Sequence, residues 1–399
     1  MMKYDFERVI DRTNTDSSKW NMVEAIFGSS TVLPLWVADM DFPIARPITE
    51  AIRKRTEHEL YGYARPGSSL IQAVINRMQQ KYGWKVEPEW IVFTPGVVSA
   101  LNVAIRAFTH PGDEVILHDP VYYPFWSAVT HSGCSVAGSP LPLIDGHYKI
   151  DLNDLRKRFD PKEGMMPSPS RTKMMILCSP HNPVGRVWSR DELIGMGRIV
   201  IDNDAIMVSD EVHCELLYEG FKHIPFASIS AEFAQNSLVC MAASKTFNLA
   251  GLAASTIIIP NVKLRNVFNA ARAGILPQPN VLALVALEAA YREGDEWLEQ
   301  LLSYLQENLA FLIDYFEKAI PKITVIRPEG TYLVWLDCRQ LGMEPTVMRA
   351  FFRDKARVGL DDGYLFGPHG AGFQRINIAC PRAILNEALK RIEEAVNHL

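Results

Sequence analysis

Between residues 90 and 241 the chain repeats one pattern: an unbroken apolar run, a turn former, then a stretch with apolar positions three or four apart. The runs fall at 90–93, 114–118, 174–177, 205–208 and 238–241. They do not alternate apolar with polar, so both faces of each strand are expected to be covered, as in a parallel sheet under helices. Helical spacing at 97–108, 190–201 and 211–217 places helices between the runs. The alternation predicts an α/β layer on a mostly parallel sheet. Upstream, Pro47 opens a helix carrying Ile48, Ala51, Ile52 and Arg55. Ser68 is expected to cap a second, with the stripe Leu70, Ile71, Val74, Ile75 and Met78.

The texture changes near residue 290. A long helix is predicted over 296–320, with Trp297, Leu301, Leu305, Leu309, Leu312 and Phe316 on its inner face. Strands follow at 323–326 and 331–336, then a helix at 347–357 and a Gly/Asp-rich loop at 361–372. A strand at 375–379 and a helix at 381–399 complete the chain. The expected division is a large domain, 45–289, and a smaller α+β domain, 290–399, against which the irregular segment 1–44 packs.

Composition narrows the function classes. Of 399 residues, 48% are hydrophobic, enough for a sizeable core, and the net charge of −5 argues against a nucleic-acid or membrane surface as partner. No apolar stretch reaches the length of a membrane span, and residues 1–8 lack the apolar core of a signal peptide. The six cysteines show no CxxC spacing and lie mostly in apolar runs, so reduced thiols in a cytoplasmic protein are expected, with no metal site.

The candidate chemistry lies just past the runs. Ligands of an open parallel sheet bind beyond the carboxyl ends of its strands. Three strands deliver a polar residue there: Asn182, Asp210 and Lys245. Lys245 follows small residues, and burial would leave it the neutral amine that attacks an aldehyde. Each has an ordinary alternative: a turn for Asn182-Pro183, a helix cap for Ser209-Asp210-Glu211, a surface lysine. The turn before helix 97–108 offers the amides of Gly96, Val97 and Val98 to a phosphate, and Tyr122 offers an aromatic face. Together they supply what pyridoxal 5′-phosphate requires: an amine, a carboxylate for the ring nitrogen, a donor for the phenolic oxygen, a stacking ring and phosphate amides.

With these landmarks the chain resembles the fold-type I, aspartate-aminotransferase-like enzymes over nearly its full length. The landmarks run Gly96-Val97-Val98, Tyr122, Asn182-Pro183-Val184-Gly185, Ser209-Asp210-Glu211, Ser244-Lys245 and Arg375. Asn182 and Asp210 stand 28 residues apart, Asp210 and Lys245 35. The resemblance implies a three-layer transferase-like large domain. It makes Lys245 the cofactor-linked lysine and proton shuttle. Asp210 pairs with the ring nitrogen, Asn182 bonds the phenolic oxygen, Tyr122 stacks on the ring and Ser244 lies beside the cofactor. Arg375 takes the substrate carboxylate, with Ala38 and Asn182 alongside.

Two departures point to one branch. His213 stands where the aminotransferases commonly carry tyrosine, and Ala253 where they carry a phosphate-binding arginine. Lys19-Trp20, the tract 36–43, Gly62-Tyr63 and 363–367 are similar to the MalY/PatB carbon–sulfur lyase branch. That resemblance implies β-elimination on cystathionine or another cysteine S-conjugate, with Tyr122 as a candidate proton donor to sulfur. It also implies a homodimer in which Tyr63 reaches the phosphate in the partner's site. His213 either bonds near the cofactor oxygen or is a satisfied core histidine. An aminotransferase, and a binding partner of a transcription regulator, are the alternative functions.

Overall fold

A computed structural model describes residues 2–160 and 171–399 of the chain. Seven strands form the main sheet. In spatial order they are Ile91–Thr94, Ser255–Ile258, Ser237–Met241, Ile206–Asp210, Thr172–Cys178, Glu114–Asp119 and Ser135–Pro140. Neighbours pair in parallel except at Ser255–Ile258, which is antiparallel to both its neighbours. The mostly parallel α/β sheet expected from the apolar runs is thus present. Every residue of Ser237–Met241 is buried, as the unbroken run requires. Helix Val97–Phe108 has the predicted bounds, and Arg46–Thr56 and Arg190–Asp202 form close to theirs.

Two strands carry no readable run. Ser135–Pro140 is an edge strand, largely half-exposed, with Gly138 and Pro140 in place of apolar residues. Ser255–Ile258 begins with two hydroxyl residues, although all four are buried. The helix predicted at 211–217 does not form. The strand runs on through Asp210, and turns follow. Glu211, fully buried, accepts hydrogen bonds from Ser209 Oγ (2.8 Å), the Phe226 amide (2.8 Å) and His223 Nε2 (2.7 Å). The Thr331 amide donates to the Leu216 carbonyl at 2.7 Å. These non-local bonds outweigh a helical spacing only seven residues long. Ser68 is likewise not a cap: helix Ser68–Tyr82 starts at it, and Gly67 holds the capping position without a side-chain bond.

The second sheet is antiparallel, in the order Thr324–Ile326, Leu333–Asp337, Phe373–Asn377, Asp361–Asp362. The last pair falls where a loop was expected, and Phe373–Asn377 begins two residues before its predicted start. The segment expected as helix 347–357 is an α-helix, Pro345–Ala350, continued by a π-helical turn, Phe351–Ala356. Helix Asp295–Ala319 buries all six residues of its predicted stripe. Each such side chain contributes about 1.5–3 kcal/mol over leaving it exposed. The N-terminal segment lies along this region. Leu33–Pro34 pairs with Val358–Gly359, and the Asn377 amide donates to the Leu35 carbonyl at 2.9 Å. That docking carries residues 36–43 to the edge of the large sheet. No helix among the described residues is long and apolar enough to cross a membrane, and no cluster of metal-ligating residues occurs among them. All six cysteines are buried and unpaired.

Candidate active site

Four neighbouring strands of the main sheet each end in a residue singled out from the sequence. In spatial order, Ser237–Met241 leads to Lys245, Ile206–Asp210 ends in Asp210, Thr172–Cys178 leads to Asn182, and Glu114–Asp119 leads to Tyr122. The convergence follows from parallel pairing, which puts all four carboxyl ends on one edge. A cavity of about 180 Å3 at that edge is lined by Ala38, Gly96, Val97, Val98, Tyr122, Asn182, Asp210, His213, Ser244 and Lys245. A larger cavity, about 680 Å3, lies on the outer side of helix Val97–Phe108, but among the described residues its lining holds neither a lysine nor a carboxylate.

Lys245 sits in a one-turn helix, Ala243–Thr246, directly after its strand. Its Nζ donates to the Ala38 carbonyl at 2.7 Å, and Tyr332 Oη donates to the same oxygen at 3.0 Å. Burial brings the lysine down to about 8, and the nearby positive charge of Arg375 acts in the same direction. Asp39 and Asp210 act against both. A large fraction of the amine is therefore neutral near pH 8, as attack on an aldehyde demands. The rate at which cofactor-free protein takes up an aldehyde cofactor is expected to rise with pH and level off above about pH 8. A lysine near its ordinary 10.5 would keep gaining beyond pH 10. Stopped-flow absorbance against pH distinguishes the two.

Asp210 is the opposite case. Burial pushes its carboxyl up to about 7, opposed by the Val212 amide, which donates to Oδ1 at 3.1 Å. An unpaired buried carboxylate resists ionising until a cation arrives beside it. A protonated pyridine ring is such a cation.

Arg375 is buried and heavily bonded. Nη1 donates to Asn182 Oδ1 and Nη2 to the Trp36 carbonyl, each at 2.9 Å. Asp361 forms an ion pair with it, and the guanidinium lies 4.9 Å from the centre of the Phe366 ring. Only Nε is without a partner. The guanidinium is thus fixed beside Asn182 with its charge compensated. Asp361 was not singled out from the sequence, nor was Tyr332.

The remaining residues fall into place around these. Tyr122 is tied to Asn182 through its amide, which donates to the Asn182 carbonyl at 3.0 Å. Burial pushes its hydroxyl above the ordinary phenol value. His213 is buried, packs edge-on against Tyr332 and has an unpartnered Nδ1. Burial first, then Lys245 and Arg375, drive its pKa down, so the ring is neutral. Gly96 has φ of 117°, a conformation that favours glycine, and precedes the twelve-residue helix Val97–Phe108. The first amides of that helix have no helical partner. Among the described residues no arginine lines the cavity; Ala253 and Ala254 do. Tyr63 is apart from all of these, wholly exposed on the loop before Ser68.

These groups suit pyridoxal 5′-phosphate. A lysine of lowered pKa, a buried carboxylate lacking a cation, helix amides, an aromatic ring and an orphaned ring nitrogen all face one small space. Sheet and site together define the fold-type I class of pyridoxal-phosphate enzymes. Comparison with known proteins agrees. Residues 30–392 match the family of class I and II aminotransferases. Cystathionine beta-lyase PatB of Bacillus subtilis is 42% identical over 395 residues, covering 98% of this chain and 100% of PatB. Cystalysin of Treponema denticola, whose crystal structure contains pyridoxal 5′-phosphate, superposes with a TM-score of 0.95 at 37% identity, covering all of both chains. The pyridoxal-phosphate-bound C-S lyase of Staphylococcus hominis superposes with a TM-score of 0.91 at 33% identity, covering 99% of this chain and 98% of its own. The chain belongs to the class I and II aminotransferase family, in the branch of the carbon–sulfur lyases.

Proposed function

We propose that this enzyme is a carbon–sulfur β-lyase, converting cystathionine or a related cysteine S-conjugate to pyruvate, ammonia and a thiol. The observation that carries the reading is the full-length 42% identity to a cystathionine β-lyase. When bound, pyridoxal 5′-phosphate supplies an aldehyde for the substrate amino group and a protonated ring that withdraws electrons from the α-carbon. Asp210 keeps that ring nitrogen protonated by direct charge pairing. Asn182 and Tyr122 hold the ring, and the amides at Gly96–Val98 take the phosphate. Arg375 orients the substrate carboxylate, beside Asn182 and Ala38. Lys245 Nζ, as the neutral amine beside the cofactor's site, would take the α-proton. The electrons of that C–H bond form the Cα–Cβ double bond as the Cβ–S bond breaks. The thiolate leaves with its electron pair and takes its proton from Tyr122 or solvent. The unsaturated amine then adds water and loses ammonia to give pyruvate.

In the same reading the enzyme works as a homodimer in the cytoplasm. Tyr63, exposed on the single chain, reaches the phosphate in the site of a second copy. His213, buried with an unpartnered Nδ1, hydrogen-bonds near the cofactor oxygen. The test is an assay of the purified enzyme with cystathionine and no added keto acid. Thiol and pyruvate are expected in equal amounts. Amino-group transfer that requires an added keto acid, without thiol release, would establish an aminotransferase instead.

A further inference from the structure

A second cavity, about 570 Å3, also borders Lys245 and shares Ala38, Lys245 and Ala250 with the first. Apart from Lys245, nothing in the chemistry above uses its charged lining. Arg12 bridges two carboxylates there: Nη2 donates to Asp39 Oδ2 at 2.8 Å and Nη1 to Asp41 Oδ1 at 2.7 Å. The two carboxylates differ in kind. Asp41 is 3% exposed and also accepts from Lys19 Nζ at 2.6 Å and Trp20 Nε1 at 3.0 Å. It is an anchor with its charge met from inside the protein. Arg12 and Asp39 keep 22% and 20% of their side-chain surface exposed. Asp39 is also close enough to Lys245 to act on its charge.

A substrate whose α-carbon lies beside Lys245 has to place everything beyond its sulfur atom. The first cavity, at about 180 Å3, is small, and its lining is the set of residues that would hold the cofactor. The second opens from the same lysine and ends in a partly exposed ion pair. We infer that the second cavity is the leaving-group subsite, and that Arg12 and Asp39 select thiols ending in a zwitterionic amino acid. The inference rests on the lyase reading given above. The distal carboxylate docks on Arg12 and the distal ammonium on Asp39. A guanidinium matches a carboxylate in two-pronged geometry, and its five donors allow it to keep Asp41 while gaining a new partner. The internal Arg12–Asp39 pair is exchanged for two intermolecular pairs, so no charge is left unmet in a confined space. An uncharged alkyl group meets an ion pair already satisfied and gains no polar contact. Lys19, through Asp41, positions Arg12 without touching the ligand.

The test uses the holoenzyme and four conjugates of matched length. These are cystathionine, S-(γ-carboxypropyl)cysteine, S-(γ-aminopropyl)cysteine and S-propylcysteine, followed by thiol release. In the native enzyme kcat/KM is expected to be at least about tenfold higher for cystathionine than for S-propylcysteine. Arg12→Gln is expected to lower the carboxypropyl-to-propyl ratio about tenfold, and Asp39→Asn the aminopropyl-to-propyl ratio by a similar factor. Because Arg12 also neutralises Asp41, Arg12→Lys is the companion variant. It keeps the cation, loses the two-pronged geometry and is expected to give an intermediate ratio. Ratios within about twofold of native in all three variants would overturn the subsite while leaving the lyase reading intact. Absence of thiol release from all four conjugates in the native enzyme would overturn the lyase reading itself.

Discussion

Replacing Lys245 with alanine is expected to lower thiol release from cystathionine by at least about 10⁴-fold, because covalent attachment and proton transfer are lost together. Attachment lets the cofactor arrive correctly oriented, and the same amine then takes the α-proton. The fold should survive. Lys245 makes one hydrogen bond, to the Ala38 carbonyl, and that oxygen keeps Tyr332 as a donor. Burial disfavours the lysine's charged form, so its removal relieves a cost at neutral pH. The cofactor-free alanine variant is therefore expected to melt no lower than cofactor-free native protein. A variant that lost activity and also melted well below native would mean that Lys245 holds the fold, and the activity loss would then say nothing about chemistry. Differential scanning calorimetry beside the thiol assay separates the two.

Asp210→Asn is expected to cost roughly 10²–10⁴-fold in kcat, since an amide cannot hold the ring nitrogen in its protonated form. It should also stabilise the cofactor-free protein, and only above a definite pH. The folded value is about 7 and the ordinary value 3.8. A carboxyl raised in this way contributes its full stability below pH 3.8 and loses it as pH rises through 7. The loss is complete above that. At about 1.4 kcal/mol per pKa unit the upper bound is on the order of 4 kcal/mol. The variant should match native protein near pH 4 and exceed it near pH 8, as followed by thermal unfolding at both values. An equal melting temperature at pH 8 would mean that Asp210 is not held against ionisation. The stored cost is what the arriving cation releases, so the residue that weakens the empty protein is the one that tightens the loaded one.

Much of this site is legible in the sequence because parallel strands are legible. Lys245, Asp210, Asn182 and Tyr122 each follow an unbroken apolar run, and parallel pairing brings such ends to one edge without further information. What the sequence hides depends on register between distant strands. Asp361 meets Arg375 because Asp361–Asp362 pairs antiparallel with Phe373–Asn377, with those two residues as direct partners. Nothing in a Gly/Asp-rich stretch announces that pairing. Tyr332 reaches the Ala38 carbonyl across 294 residues of chain. The false helix at 211–217 has the same origin. Its local spacing is helical, but Glu211 is bound by partners up to residue 226. The edge strand Ser135–Pro140 is missed for a different reason, since an edge strand need not be apolar on both faces.

Lys245, among the chain's lysines, is expected to carry the cofactor at the sheet edge beside Asp210. Borohydride reduction of the yellow holoenzyme, followed by digestion and mass spectrometry, tests this directly. The phosphopyridoxyl mass is expected on the peptide that contains Lys245 and on no other. Its appearance on a different lysine, or its absence from a protein saturated with pyridoxal 5′-phosphate, would contradict the account.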